Sequence, residues 1–173
     1  IVGMALFNGV AQASQPVIAT NYGANENNRV RRVLKYAMFT TIAVGFLLFS
    51  GVFMFTEEVI YTFVKADSKI ISMGVPALRI YMSAFCIMNI NILLCNYFQS
   101  TGREKLSIFI SIIRGFLLNI ILVLSLPIIL GGYSLWFVVP VTEIITVSGI
   151  ILYIKKCNNF NKEIKLDKIA IVD

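Results

Sequence analysis

Long runs of uncharged, mostly apolar residues dominate the chain and are separated by short polar stretches. Residues 1–25, 36–56 and 80–102 carry no charge, and residues 106–154 carry only two charged side chains. At a rise of 1.5 Å per residue, about 20 residues of helix cross a hydrocarbon core of about 30 Å. Each of the first three runs is therefore long enough for one crossing, and the last is long enough for two.

The turn inside the last run is marked by Pro127 and by the pair Gly131-Gly132. Unpaired strand backbone in lipid would cost several kcal/mol per group, so helices are predicted throughout. The pattern predicts an all-α integral membrane region over residues 1–156 and a cytoplasmic tail over 157–173. The five predicted transmembrane helices cover residues 1–22, 35–56, 76–100, 106–130 and 133–154.

Composition supports a membrane protein and excludes several other classes. Hydrophobic residues make up 58% of the chain and charged residues 14%, whereas soluble domains are about half apolar and about a quarter charged. The net charge of +6 does not indicate nucleic-acid binding, because the basic residues are dispersed between apolar runs. The three cysteines lack metal-ligand spacing and histidine is absent, so no metal site, cofactor or disulfide framework is predicted.

Basic residues alternate between the two sides of the predicted bundle. Eleven lie in the connections on one side and two on the other, which predicts that the richer side is cytoplasmic. The start of the chain is then outside and the tail inside a cell membrane, as in a bacterial cytoplasmic membrane. A membrane protein that began at Ile1 would have to translocate its first residues without a leader. We therefore expect further helices to precede this sequence.

Three stretches of the sequence form a recognisable set: GVAQASQPVIATNYGA at 9–24, LRI at 78–80 with YFQSTGREK at 97–105, and SIIRG at 111–115 with PVTE at 140–143. They resemble the eighth helix, the tenth helix and its exit, and the last hairpin of one transporter family, the multidrug and toxic compound extrusion (MATE) proteins. The resemblance runs over almost the whole chain up to about residue 156.

The resemblance implies twelve helices in two six-helix lobes, with this chain supplying helices eight to twelve. The seven preceding helices of the same protein would then be its partner in the bilayer. It also implies export of amphipathic, often cationic drugs, driven by entry of protons or sodium, and no enzymatic activity. Some sodium-coupled members carry an acid on the tenth helix, whereas this chain offers Cys86 and Asn89, which argues against a sodium site in this lobe.

Glu143 is the only acid inside the five predicted spans and lies about 15 Å along the last one, near the membrane midplane. A charged acid there costs roughly 2.5–3.5 kcal/mol on insertion scales. We therefore expect Glu143 to face a cavity, to find a partner or to stay protonated. A carboxyl that exchanges a proton with a cationic drug would couple an antiporter. The alternative is a structural carboxyl bonded across helices.

Four further polar residues are predicted to line the substrate cavity: Gln12, Gln15, Asn89 and Arg114. For the two glutamines and Asn89, the alternative is hydrogen bonding between helices. Counted from the turn, Arg114 and Glu143 differ in depth by roughly 9 Å, so a direct ion pair is not favoured. Arg114 would instead reach the interface or bond backbone carbonyls.

Two prolines are predicted to bend their helices near polar residues. Pro16 follows the two glutamines of the first span, and Pro140 precedes Glu143 by three residues. Each removes a backbone donor and would free a carbonyl inside a helix, as in the broken helices that line transport sites. The alternative for both is a kink that serves only packing.

Three function classes follow from these patterns. The leading interpretation is a secondary antiporter that works by alternating access. A flippase for lipid-linked oligosaccharides shares the architecture but would be expected to show more basic residues in its cavity. The third hypothesis is a non-transporting membrane scaffold, although a scaffold would have little need for an acid at the membrane midplane. An enzyme would need a convergent set of reactive side chains, which a single glutamate does not supply.

Overall fold

The computed structural model describes residues 2–63 and 68–170 of the chain, and their side chains over 2–62 and 71–157. Helices and turns make up this part of the chain. In chain order the α-helices are α1 Val2–Gly23, α2 Asn27–Met54, α3 Thr56–Phe63, α4 Ser68–Ser83, α5 Phe85–Ser100, α6 Glu104–Ile112, α7 Leu118–Leu130 and α8 Val138–Ala170. A π-helical segment, Ile113–Leu117, joins α6 to α7, and a 3-10 segment, Gly132–Phe137, joins α7 to α8.

Four stretches of the described residues are long and apolar enough to cross a membrane. They are Asn27–Met54, Ile71–Ser100, Glu104–Leu130 and Gly132–Cys157, and they correspond to the last four predicted spans. The all-α membrane fold is thereby confirmed. At 22 residues α1 is long enough to cross, but its amide side chains make it less apolar than the other four. The count of five spans therefore stays a prediction.

Several helix boundaries differ from those expected. The basic run from Arg29 to Lys35 was assigned to a connection, but α2 begins at Asn27 and includes it. Arginine and lysine are good helix formers, so a helix can continue through them beyond the apolar core. The helix α8 also continues past 154 to Ala170. Lys65 and the side chains of the predicted tail from 158 onward lie outside the described residues.

The core of the bundle is built around α5. This helix packs against α1, α2, α6 and α8. Its central residues are uncharged and mostly large, so α5 can bury more than one face without stranding a charge. Phe7 of α1 and Phe85 of α5 meet edge to face at 5.6 Å between ring centroids. The main buried cluster comprises Phe7, Ala11, Ala37, Phe85, Met88, Ile92 and Leu93.

A close approach between α2 and α5 depends on Gly45. The fully buried Asn89 donates from Nδ2 to the Thr41 carbonyl at 2.7 Å. A Cβ placed on Gly45 would collide with the Asn89 amide and lie 2.9 Å from the Phe85 carbonyl oxygen. Asn89 was predicted to line the substrate cavity, but it lies instead in this helix interface. The physical reason is the hydrogen bond, which a polar group buried between helices requires.

We expect Gly45→Ala to destabilise the bundle by about 1–3 kcal/mol, the usual effect of overpacking a tight interface. Thermal unfolding in detergent would measure this change. Gly51→Ala is the matched control, because a Cβ there meets no atom within 4 Å. Replacing a helical glycine in open space should leave stability unchanged or raise it by up to about 1 kcal/mol. Equal effects of the two substitutions would contradict the close approach.

Candidate functional site

Glu143 lies in the second turn of α8 and is 3% exposed. The 3-10 segment ends at Phe137 and α8 begins at Val138, so Pro140 lies in the first helical turn. A proline is tolerated there because the first backbone N–H groups of a helix have no intrahelical partner. Pro140 therefore starts the helix that carries Glu143 rather than interrupting it.

Arg114 forms a direct ion pair with Glu143. Its Nη2 lies 2.8 Å from Oε1, and its Nε lies 2.9 Å from Oε1 and 3.0 Å from Oε2. The expectation that these residues do not pair directly is wrong. It assumed α-helical rise throughout, whereas a π segment and a 3-10 segment lie between the two residues. A 3-10 helix rises about 2.0 Å per residue instead of 1.5 Å, and the long arginine side chain spans the remaining distance.

Asn91 of α5 completes the surroundings of the carboxylate. Its Nδ2 donates to Oε2 of Glu143 at 2.7 Å and to the Glu143 backbone carbonyl at 3.0 Å. Asn91 is fully buried. Nothing in the sequence connects Asn91 in particular to the acid. The only available signal was that a buried carboxylate needs donors, and several amides in the sequence meet that need equally well.

The π segment sets the position of Arg114. Its last turn closes with a bond from the Leu118 N–H to the Ile113 carbonyl, five residues back. Such a turn carries one residue more than an α-helical turn and disturbs the regular carbonyl pairing. The Asn119 side chain compensates, because its Nδ2 donates to the Arg114 carbonyl at 2.9 Å and to that of Gly115 at 3.4 Å.

A cavity of about 310 Å³ opens beside the ion pair. Arg114 and Glu143 both contribute to its wall, with hydroxyl and amide groups from α7, α8 and the end of α6. The opposite wall is mostly apolar. The lining residues are Met4, Tyr81, Met88, Ser111, Arg114, Gly115, Asn119, Val139, Thr142 and Glu143. Of the predicted site residues, the structure brings Arg114 and Glu143 together here and places the others elsewhere.

The two glutamines of α1 lie away from this cavity. Gln12 is exposed, and Gln15 is half-buried and donates to Oε1 of Gln99 at 3.0 Å. Gln99 in turn donates to the Ser107 hydroxyl at 3.2 Å. The helix α1 is continuous through Pro16, whose carbonyl accepts a hydrogen bond from the Thr20 hydroxyl at 2.8 Å. The bend expected at Pro16 is not accompanied by a break in α1.

At this site the buried carboxylate of Glu143 is neutralised by Arg114. Each carboxylate oxygen of Glu143 has two donors at hydrogen-bonding distance, which satisfies the hydrogen-bonding capacity of this buried group. Removal of either partner would leave the other charge buried without compensation. Among the described side chains, no group of three or more His, Cys, Asp or Glu residues is placed to hold a metal ion. A cation reaches Glu143 only by competing with Arg114.

A double-mutant cycle tests this geometry. We expect Arg114→Gln or Glu143→Gln alone to lower the free energy of unfolding by about 3–5 kcal/mol, because each leaves one buried charge unpaired. The double variant should recover most of that loss, since two amides can bond each other. Thermal unfolding in detergent is the measurement, with Arg31→Gln on an exposed side chain as the control. Strictly additive losses would show that the two residues do not interact.

Comparison with known proteins agrees with this architecture. A family model described as MatE matches residues 1–124. An inward-facing multidrug resistance MATE family transporter of the MOP superfamily has a similar fold, with a TM-score of 0.79 and 17% identity over 93% of this chain and 38% of that one. For an outward-facing structure of such a transporter, the TM-score is 0.80 and the identity is 18%, over 92% of this chain and 36% of that one. For a MATE structure in complex with MaL6, the TM-score is 0.81 and the identity is 17%, over 92% of this chain and 37% of that one.

No curated protein sequence matches the chain. The chain spans less than two fifths of the length of the solved transporters. At this level of identity the structures show a common fold, and the family match covers most of the sequence. The family that the three sequence stretches resemble is thereby confirmed, and its members are transporters rather than enzymes. The chain belongs to the MatE family of multi-pass membrane transporters.

Proposed function

We propose that this chain is part of a secondary active antiporter that exports amphipathic or cationic drugs and toxic compounds in exchange for protons or sodium. The observation that carries the proposal is the buried carboxylate of Glu143, which an arginine from a neighbouring helix neutralises at the wall of a cavity. Ionisable residues inside a membrane bundle characteristically mark ion and substrate pathways. The family membership supports the same function.

Competition for one carboxylate provides the exchange. Glu143 is paired with Arg114, so the two side chains together carry no net charge. A coupling ion must displace the guanidinium to reach Oε1 or Oε2, and so must a cationic drug. Because the carboxylate pairs with only one cation at a time, binding of the coupling ion lowers the affinity of Glu143 for the drug, and binding of the drug lowers its affinity for the ion. The coupling ion would thereby drive the drug from its site.

Alternating access would move this part of the protein largely as one body. The chain fits an inward-facing and an outward-facing transporter almost equally well, with TM-scores of 0.79 and 0.80. Rocking of one rigid helical unit against another around a fixed site accounts for such similarity. The contacts of α5 with helices on several sides favour a unit that keeps its internal arrangement.

The remaining predictions take their place in this proposal. Gln12 and Gln15 are polar positions for the substrate path, because Gln12 is exposed on α1 and Gln15 is only half-buried. Pro16 would let α1 bend during transport. We also propose five spans over residues 1–156 in a cell membrane, with the start of the chain outside and the tail cytoplasmic, because basic residues favour that side. The seven preceding helices, six of the first lobe and one of the second, would complete the cavity.

The proposal is tested by transport in vesicles that hold the full-length protein. We expect efflux of a fluorescent lipophilic cation to be driven by a proton or a sodium gradient. Glu143→Gln should lower the gradient-driven rate by about tenfold, within the range of typical coupling free energies. It should also remove the pH dependence of the rate, because the amide of glutamine neither takes up nor releases a proton near neutral pH.

Glu104→Gln is the matched control, because Glu104 is an exposed acid at the start of α6. Its rate and pH profile should equal those of the unmodified protein. Transport by Glu143→Gln at the normal rate at every pH would remove Glu143 from the coupling mechanism. Failure of both gradients to drive efflux would contradict the antiporter itself.

A further inference from the structure

A second cavity, separate from the ion pair, runs along the seam between α6–α7 and α8. Its volume is about 340 Å³, and its wall is almost entirely apolar. The principal contacts come from Leu106, Phe109 and Ile110 on one side and from Ile145, Gly149 and Ile150 on the other. The hydroxyl of Thr146, which also lines it, already donates to the Thr142 carbonyl at 2.8 Å. The groove therefore presents an apolar surface of defined shape to a ligand.

Gly149 creates the space in this groove. A Cβ placed on Gly149 meets no atom within 4 Å, so the missing side chain leaves an open notch in α8. An apolar notch of this kind suits hydrocarbon better than water, because water finds no polar partner there. Lipid tails are as apolar as the walls, so the groove by itself does not discriminate between lipids. Selectivity requires a polar contact at one end.

Two cations stand at one end of the groove. Leu106 and Ile110 lie on one face of α6, and Arg103, three residues before Leu106, continues that face at the start of the helix. On α8, Gly149 and Tyr153 share a face that Lys156 continues three residues later. Leu106 on α6 and Tyr153 on α8 both line the groove, so Arg103 and Lys156, each three residues away along the chain, lie beyond the same end of it. Arg103 and Lys156 are both exposed.

We propose that this groove binds one anionic phospholipid, with an acyl chain along the notch at Gly149 and the phosphate headgroup between Arg103 and Lys156. Charge complementarity selects the occupant, since a phosphate group meets two basic side chains beside an apolar channel. A basic residue near a membrane surface contributes about 1 kcal/mol to attraction of anionic lipid, or about fivefold in affinity. The proposal goes beyond drug export and requires that the groove faces lipid in the complete protein.

Native mass spectrometry of the full-length protein tests the headgroup contact. The probes are phosphatidylglycerol and phosphatidylcholine with identical acyl chains. Phosphatidylglycerol should bind more tightly, and Arg103→Gln and Lys156→Gln should each weaken it by about fivefold. The same substitutions should weaken phosphatidylcholine by less, because its choline group offsets the charge of its phosphate. Arg31→Gln, which removes an exposed arginine outside the groove, should change neither lipid. Equal binding of the two lipids to the unmodified protein would overturn the proposal.

The groove itself is tested by Gly149→Leu, which fills the notch and should weaken binding of both lipids by about tenfold. Gly51→Leu, at another glycine with open space around it, is the control and should have no effect. Unchanged lipid binding by Gly149→Leu would place the acyl chain elsewhere. Excess glycerol 3-phosphate should not displace phosphatidylglycerol. Full displacement would show a free-phosphate site and refute a lipid site.

Photo-crosslinking of the unmodified protein keeps the test independent of variant folding. A phosphatidylglycerol with a photoreactive group in its acyl chain should label peptides that contain residues 106–113 and 145–153. An excess of unlabelled phosphatidylglycerol should abolish this labelling, and phosphatidylcholine should be less effective. Labelling confined to other helices would overturn the assignment even if the Gly149 variant fails to fold.

Discussion

A carboxylate buried among apolar helices must be surrounded by donors, and this requirement organises the whole arrangement around Glu143. Donors reach it from the π segment through Arg114 and from α5 through Asn91. The backbone carbonyl of Glu143 accepts from the same asparagine, so α8 is fixed both at its side chain and at its main chain. A single acid therefore fixes the π segment, α5 and α8 relative to one another.

The helix α5 stands between two polar interfaces. Asn89 bonds α2 and Asn91 bonds α8, and residues two apart on a helix project to opposite sides. Each asparagine donates across a different interface, so α5 is fixed from both sides and cannot rotate without breaking one bond. In a bilayer, where apolar contact gives little preference between helix and lipid, such bonds help to define which helices are neighbours. This explains why α5 is the most buried element of the bundle.

The sequence predicted the helices well and their partners poorly, for a physical reason. Long uncharged runs indicate where a helix is able to cross a membrane, and the structure has helices along each of these runs. The Arg114–Glu143 pair was missed because counting residues assumes uniform α-helical geometry. Helix ends were also misplaced, since charge marks the limit of the apolar layer while hydrogen bonding continues beyond it, as α2 shows at Arg29.

The extra residue in the π segment has an evolutionary consequence. Deletion of any one residue between Ile113 and Leu117 would let the chain close into an ordinary α-helix with a better hydrogen-bond ladder. Because a π turn and an α-helical turn each complete one revolution, α6 and α7 would keep nearly the same orientation about their axes. The irregular carbonyl pairing at Arg114 and Gly115, to which the Asn119 side chain now donates, would be lost. A shortening at this place would therefore leave the bundle in line and deprive the Asn119 side chain of its backbone partners.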